Sequence, residues 1–315
     1  MKQYFQVNWV NGMKITSDHF IELENHVISR LQNLSTGLVN DLSYGLVPSQ
    51  ELETNSPRFS ISLTDNKIKA LRSFTMITPE GGIIHIPANV DFTFVRPTEE
   101  STQYYLVITG DPYSRKRVGQ INELESPLRN PNVIPDYIFQ LLSTQASSLH
   151  ALGRSIVPVG KYSGSSLDED ISYIPPCTSV QSHPVLVKLG EDVKNRLSEL
   201  RRKVEELRKK SNVTNKEMLY ELVRFFNLNL TAILWYMNHQ PPVFLIEKVH
   251  QVARLFHFAI ITNNLQVREE YSRLLNEFVD FQYNHIEIGQ SVEIVRRFVT
   301  NLQNFLPKDD TSFGV

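Results

Sequence analysis

Cysteine is almost missing: one, Cys177, stands in 315 residues. A lone thiol excludes a disulfide within the chain, so the fold needs no oxidising compartment. Charge of one sign is missing too. The 32 basic and 34 acidic residues leave a net charge of −2, which gives no general attraction to nucleic acid or to an anionic membrane. No run reaches the roughly 18 uninterrupted apolar residues of a membrane span. The apolar stretch from Val243 to Ile261 is broken by Glu247, Lys248 and Arg254. Met1–Asn11 carries a single lysine and no long apolar core, unlike a signal peptide. A cytoplasmic protein without membrane insertion is the expectation.

Signs of catalysis are also scarce. Gly160-Lys161 is a near-miss for a phosphate loop, but Ser155 stands where the first glycine is needed and Tyr162 where the magnesium hydroxyl is needed. No Gly-x-Ser-x-Gly elbow occurs. The pairs Glu99-Glu100, Glu205-Glu206 and Glu269-Glu270 carry no identifying spacing. Cys177 reads as a small packed residue. His19, Glu22 and His26 share one side of a helix, as metal ligands can, but with no zinc spacing. They read instead as a polar exposed face opposite Phe20, Leu23, Val27, Leu31 and Leu34. No catalytic residue, cofactor or metal is expected.

What is present is an ordinary globular composition, 41% hydrophobic and 21% charged, in a length that suits two domains. From about Pro57 to Val159 the apolar period is two. Phe59, Ile61 and Leu63 alternate with polar residues, as do Val90, Phe92 and Phe94, and Tyr105–Ile108 reads as a strand buried on both faces. Turn signals at Asp65-Asn66, Pro79–Gly82 and Gly110–Pro112 separate these strands. Such a series without helical crossovers predicts an antiparallel sandwich or barrel. Pro135–Leu149 fits either a strand or a short helix. Ser163–Ser166 and Asp168–Asp170 then lead to Tyr173-Ile174-Pro175-Pro176-Cys177, read as an extended strap.

From about Pro184 the period is three and four. Leu189, Val193, Leu197, Leu200, Val204 and Leu207 form one stripe. A second helix opens at Thr214 with Glu217 at capping-box spacing and carries Leu219, Leu222, Phe226, Leu230, Ile233 and Met237. A third follows Pro241-Pro242 and carries Leu245, Val249, Val252, Phe256 and Ala259. A fourth region, Leu265–Gln303, breaks near Asn284. Short connectors between such helices predict an antiparallel bundle. The domains expected are 1–182 and 183–315, β then α. The basic cluster Arg201, Arg202, Lys203, Arg208, Lys209 and Lys210 is interleaved with Glu199, Glu205 and Glu206, and reads as a solvated face. The third helix is apolar on more than one side. It is either central in its own bundle or packed on another subunit; Phe244, Phe256 and Phe258 are the candidate oligomer contacts.

The opening segment has the pattern Trp9, Gly12-Met13, His19-Phe20. A short apolar strand (Phe5, Val7, Trp9) passes an Asn-Gly turn into a helix capped by Ser17 or Asp18. With Tyr44-Gly45-Leu46, Gly82-Ile83-Ile84 and the Pro175-Pro176 strap, this pattern resembles the TssK family of type VI secretion baseplate subunits. The resemblance implies a non-enzymatic homotrimer. It implies a β shoulder similar to that of phage receptor-binding proteins, gripping the wedge proteins TssF and TssG, and a helical neck that trimerises. It further implies a location at the cytoplasmic face of the inner membrane, where a carboxy-terminal head docks a membrane-anchor complex. Phe305–Val315 is too short for a head, so the chain is expected to be either a piece of a longer subunit or a short form that still links the tail baseplate to its envelope anchor, and the surface that meets the anchor is left open. The signature residues Trp9, Gly12, Met13, His19, Phe20, Tyr44, Gly45, Pro175 and Pro176 are expected to be structural. The alternative function is a phage-tail-type receptor- or carbohydrate-binding module.

Overall fold

A computed structural model describes residues 4–49, 56–96, 101–121, 123, 126, 128–145, 155–164, 166–209, 216–263 and 268–306. The helix start expected at Thr214, Lys210, Leu265, Glu99-Glu100, Ser165, residues 146–149 and the tail beyond Leu306 lie outside these. The contacts divide the chain into two units: Met1–Val47 with Ser56–Pro176, and Pro48–Asn55 with Cys177–Val315. The division falls ahead of the expected 182/183 boundary. Its reason is local: Val180 N–H donates to the Gln240 carbonyl and Val180 packs by Gly190, so this turn belongs with the helices.

The first unit opens with α1 (Ser17–Thr36) and continues, among the described residues, through ten strands. They are β1 (Gly45–Leu46), β2 (Phe59–Ser62), β3 (Lys67–Ala70), β4 (Phe74–Ile77), β5 (Ile83–Ile86), β6 (Asp91–Val95), β7 (Gln103–Val118), β8 (Asn132–Ser143), β9 (Val157–Ser163) and β10 (Asp168–Glu169). They form a three-stranded sheet, β1-β4-β5, and a curled seven-stranded one, β10-β9-β7-β8-β6-β3-β2. All pairs are antiparallel except β6 with β8, where Thr93 registers with Ile138. Alternation along a strand cannot announce that exception, because it fixes faces and not directions. The ambiguous segment from Pro135 is strand up to Ser143. Tyr105–Ile108 is buried throughout. Phe59 of β2 stands edge-on to Phe74 of β4, centroids 5.8 Å apart, and Phe139 of β8 closes on Phe59 at 5.5 Å. Phe5–Trp9 is not a strand. Val7 is buried, but Phe5 and Trp9 are exposed, and the segment has no ladder partner.

The second unit holds α2 (Pro184–Lys209), α3 (Lys216–Thr231), α4 (Pro242–Asn263), α5 (Glu269–Asp280) and α6 (Ile288–Thr300). The α2 stripe from Leu189 to Leu207 is buried at every predicted position, as is the α4 stripe from Leu245 to Ala259. Consecutive helices touch, and α6 returns to α2. The break near Asn284 separates α5 from α6. An aromatic cluster fills the centre: Phe278 stacks on Phe298 at 4.6 Å, and Phe305 meets Phe298 at 5.4 Å and Phe256 at 5.3 Å. Each such pair adds about 0.5–1.5 kcal/mol beyond area burial. Arg297 grips Glu277 through both guanidinium ends, at 3.1 and 3.3 Å, tying α6 to α5. Between α3 and α4 the chain widens into a π-helical turn, Ala232–Tyr236. No helix among the described residues is long and apolar enough to cross a membrane.

Candidate interaction surfaces

The signature residues gather in two places, both in the first unit. At the amino end, Met13 N–H donates to the Val10 carbonyl across a turn with Gly12 at φ 81°. This conformation favours glycine. The helix cap is Thr16, one residue before the predicted Ser17. Thr16 N–H donates to His19 Nδ1 at 3.1 Å, and the Thr16 hydroxyl lies 3.0 Å from the same nitrogen. His19 therefore occupies the place of glutamate or glutamine in a capping box. The indole of Trp9 leans over both partners of the pair, 6.0 Å from the His19 ring and 6.3 Å from Phe20. The histidine is a cap rather than a ligand. His26 Nδ1 is likewise engaged, with the Tyr4 carbonyl at 3.1 Å. Among the described residues no group of three or more His, Cys, Asp or Glu could hold a metal ion.

The second place joins Gly45 to the strap. Leu46 N–H donates to the Pro176 carbonyl at 2.7 Å, so β1 is stitched to β4 on one side and to the strap on the other. Gly45 has φ 110°, and a Cβ there would lie 2.0 Å from the Pro176 carbonyl oxygen. Only glycine lets the two backbones approach this closely. Tyr44 is buried beside them; desolvation, with Asp41 nearby, pushes its hydroxyl up to about 12. Gly82, from the same resemblance, sits in the β4–β5 turn, where its N–H donates to the Thr78 hydroxyl.

Helix α1 reverses the expected polarity. Its predicted apolar stripe is its open face: Phe20 is 55% exposed, Val27 48%, Leu31 46% and Leu34 68%, with Leu38 at 82% just beyond the helix. The face half a turn round, Asn25, Ser29, Gln32 and Thr36, lies on the β unit and is polar. Arg115 of β7 donates to Asn25 at 2.9 Å and to Glu24 at 3.1 Å. The Tyr113 hydroxyl donates to Gln32 Oε1 at 3.5 Å. The Thr36 hydroxyl donates to the Glu80 carbonyl at 2.6 Å, inside the β4–β5 turn. Periodicity groups residues on a face, but it does not say which face the chain covers.

In the helical unit the three candidate contacts separate. Phe256 is fully buried among its own helices, leaving no surface for another chain. Phe244 is half-buried under the Lys248 ammonium, 5.1 Å from its ring centre. Phe258 is 59% exposed, with Ile261 one turn on at 64%. Sequence reading missed the exposed run on the π-helical turn, Leu234, Trp235 and Tyr236, with Leu228 before it. A widened turn, which re-aims side chains, often marks a functional place. Arg202, Lys203, Arg208 and Lys209 of the basic cluster are exposed as expected, and the half-buried Arg201 is bonded to Glu205 at 2.9 Å.

Cys177 is fully buried, and desolvation pushes its thiol far above the ordinary range. A cavity of about 30 Å³ beside Arg58, Glu169, Asp170 and Tyr173 has room for water rather than a substrate.

No family model matches the chain, and no curated protein does. Solved structures do. A crystal structure of TssK matches over 98% of this chain and 71% of its own, at 14% identity and a TM-score of 0.58. A chain of the baseplate complex from the type VI secretion system matches over 95% of this chain and 100% of its own, at 12% identity and 0.56. A chain of the TssK-TssF-TssG baseplate subcomplex matches over 95% and 99%, at 12% and 0.54. At such identities the likeness is one of fold. The chain has the TssK fold over nearly its whole length, as the opening signature implied.

Proposed function

We propose that this chain is a structural, non-enzymatic component of a type VI secretion baseplate. The observation that carries the reading is the shared fold with the TssK-TssF-TssG subcomplex over 95% of the chain. On this reading the two-sheet unit is a β-sandwich shoulder that receives the TssF and TssG wedge, and the helices are an antiparallel bundle serving as neck. The chain is a homotrimer at the cytoplasmic face of the inner membrane, linking the contractile tail to its envelope anchor. The exposed Trp235, Tyr236, Phe258 and Ile261 supply the apolar contact that a trimeric neck needs. The remaining large exposed patch, on α1, also fits an assembly part better than a catalyst.

Co-purification tests this. The tagged full chain, expressed with TssF and TssG from the same cells, is expected to retain both through size exclusion and to weigh three chains by light scattering when alone. Failure to retain either wedge protein, together with glycan-array binding, would replace the proposal with a receptor-binding module.

A further inference from the structure

Helix α2 divides by charge. Pro184–Leu200 holds three basic and three acidic residues, whereas Arg201–Lys209 holds five basic against two acidic. The glutamates nearest this end do not neutralise it. Glu199 stands at i,i+4 spacing to Lys203, and Glu205 to Lys209, the favourable order for an ion pair on a helix. Neither pair forms. Glu199 turns back to Arg196 at 3.2 Å, and Glu205 to Arg201 at 2.9 Å. Among the described residues, Arg202, Lys203, Arg208 and Lys209 are left without an ion-pair partner, and all four are exposed. Glu206 is the single unpaired carboxylate in the same stretch of described residues. Cations in a last turn suit the helix dipole. That accounts for Arg208 and Lys209 but not for Arg202 and Lys203, which lie further back.

The four cations surround the end of the helix rather than line one side of it. At about 3.6 residues per turn, Arg202 and Lys209 share a side. Lys203 lies about a quarter-turn away in one direction, and Arg208 about a third of a turn in the other. Only the buried seam of Leu200, Val204 and Leu207 is left without charge. Along the axis the four span about 10 Å, close to the Debye length of ~8–10 Å in physiological salt. A charged plane meeting the end of α2 therefore acts on all four at once. A nucleic-acid groove takes a helix lengthwise and rewards a stripe, which this is not.

We infer that the carboxy-terminal end of α2 rests on the surface of an anionic phospholipid bilayer, held by charge and without insertion. The occupant follows from complementarity: about four to eight Lys and Arg clustered on an amphipathic helix are the pattern that binds acidic lipid headgroups. Each such cation adds about fivefold to partitioning onto an acidic membrane, so the four together add on the order of several hundred-fold per copy. The inference deepens the proposed function and rests on it for bringing the chain to a membrane.

Vesicle co-sedimentation of the full chain tests it. With vesicles of phosphatidylglycerol and phosphatidylcholine in equal parts the chain is expected to pellet, and with phosphatidylcholine alone to stay in solution. Raising the salt should release it, because charge alone holds it. Arg202→Gln with Lys209→Gln is expected to weaken binding about 25-fold with an unchanged circular dichroism spectrum. Lys188→Gln with Lys194→Gln, from the balanced half of α2, should bind as wild type does. No pelleting with phosphatidylglycerol overturns the inference, as does equal pelleting with phosphatidylcholine alone. Equal loss in the two double variants puts the attraction elsewhere and overturns it as well. A DNA duplex bound more tightly than the acidic vesicles, through Arg202 and Lys209, assigns the end to nucleic acid and also overturns it. Vesicle binding absent while TssF and TssG are retained overturns this contact alone. Vesicle binding present while both are lost overturns the baseplate reading alone.

Discussion

Replacing Gly45 with alanine tests how the strap is held to the β unit. The new Cβ meets the Pro176 carbonyl oxygen at 2.0 Å and its carbon at 2.2 Å, both backbone atoms that cannot rotate away. The positive φ adds about 1–2 kcal/mol for any residue with a Cβ. Relieving the overlap breaks the 2.7 Å bond from Leu46 N–H to Pro176. Leu46 is fully buried, so its stranded donor costs about 1–3 kcal/mol more. The total, about 2–5 kcal/mol, is a large share of the stability of an ordinary domain. In a thermal scan the β-unit transition should fall by roughly 4–20 °C. Gly12→Ala is the internal control: its φ is also positive, at 81°, but nothing lies within 4 Å of the added Cβ. It should lose only about 1–2 kcal/mol. Equal shifts for the two variants would refute the claim that the strap contact, rather than backbone preference, requires glycine at 45.

His19→Ala should remove the capping box and cost about 1 kcal/mol in urea unfolding, whereas His19→Gln should restore most of it. His183 is buried, and desolvation holds its imidazole down at about 4 against an ordinary 6.5. Between those values the unfolded chain carries a proton that the folded one does not, so stability falls with pH across that window. The loss reaches about 2–3 kcal/mol by pH 4.5, and His183→Gln should flatten the slope between pH 7 and 4.5 relative to wild type. Phe278→Ala should cost about 3–5 kcal/mol by opening the aromatic centre. Phe258→Ser should leave folding within about 0.5 kcal/mol and lower the mass seen by light scattering.

Some of this architecture is written in the sequence and some is not, for physical reasons. The α2 and α4 stripes were legible because a long amphipathic helix among its own neighbours buries its apolar face. The pairing of Gly45 with Pro176 was not, because the two meet only through the folded chain. Phe5–Trp9 misled because alternation without a ladder partner satisfies no backbone group. Thr16 rather than Ser17 caps α1, since three hydroxyl or carboxyl residues in a row offer competing caps. The inverted α1 was illegible in a different way. Its stripe was read correctly, but the polar face opposite was expected to be the exposed one, and periodicity does not say which face is covered.

The polar underside of α1 has a consequence for how firmly the helix is held. Its tethers are hydrogen bonds and one ion pair, each worth on the order of 1 kcal/mol net in water. Among the described residues, none of its large apolar side chains is buried; Ser35 alone is. Local opening of α1 should therefore require much less free energy than unfolding the β unit beneath it. Amide exchange along residues 20–36 would then be fast in the lone chain and slow once the outer face is covered. Exchange at the first helix would thus read, without a label, whether anything has settled on its outer face.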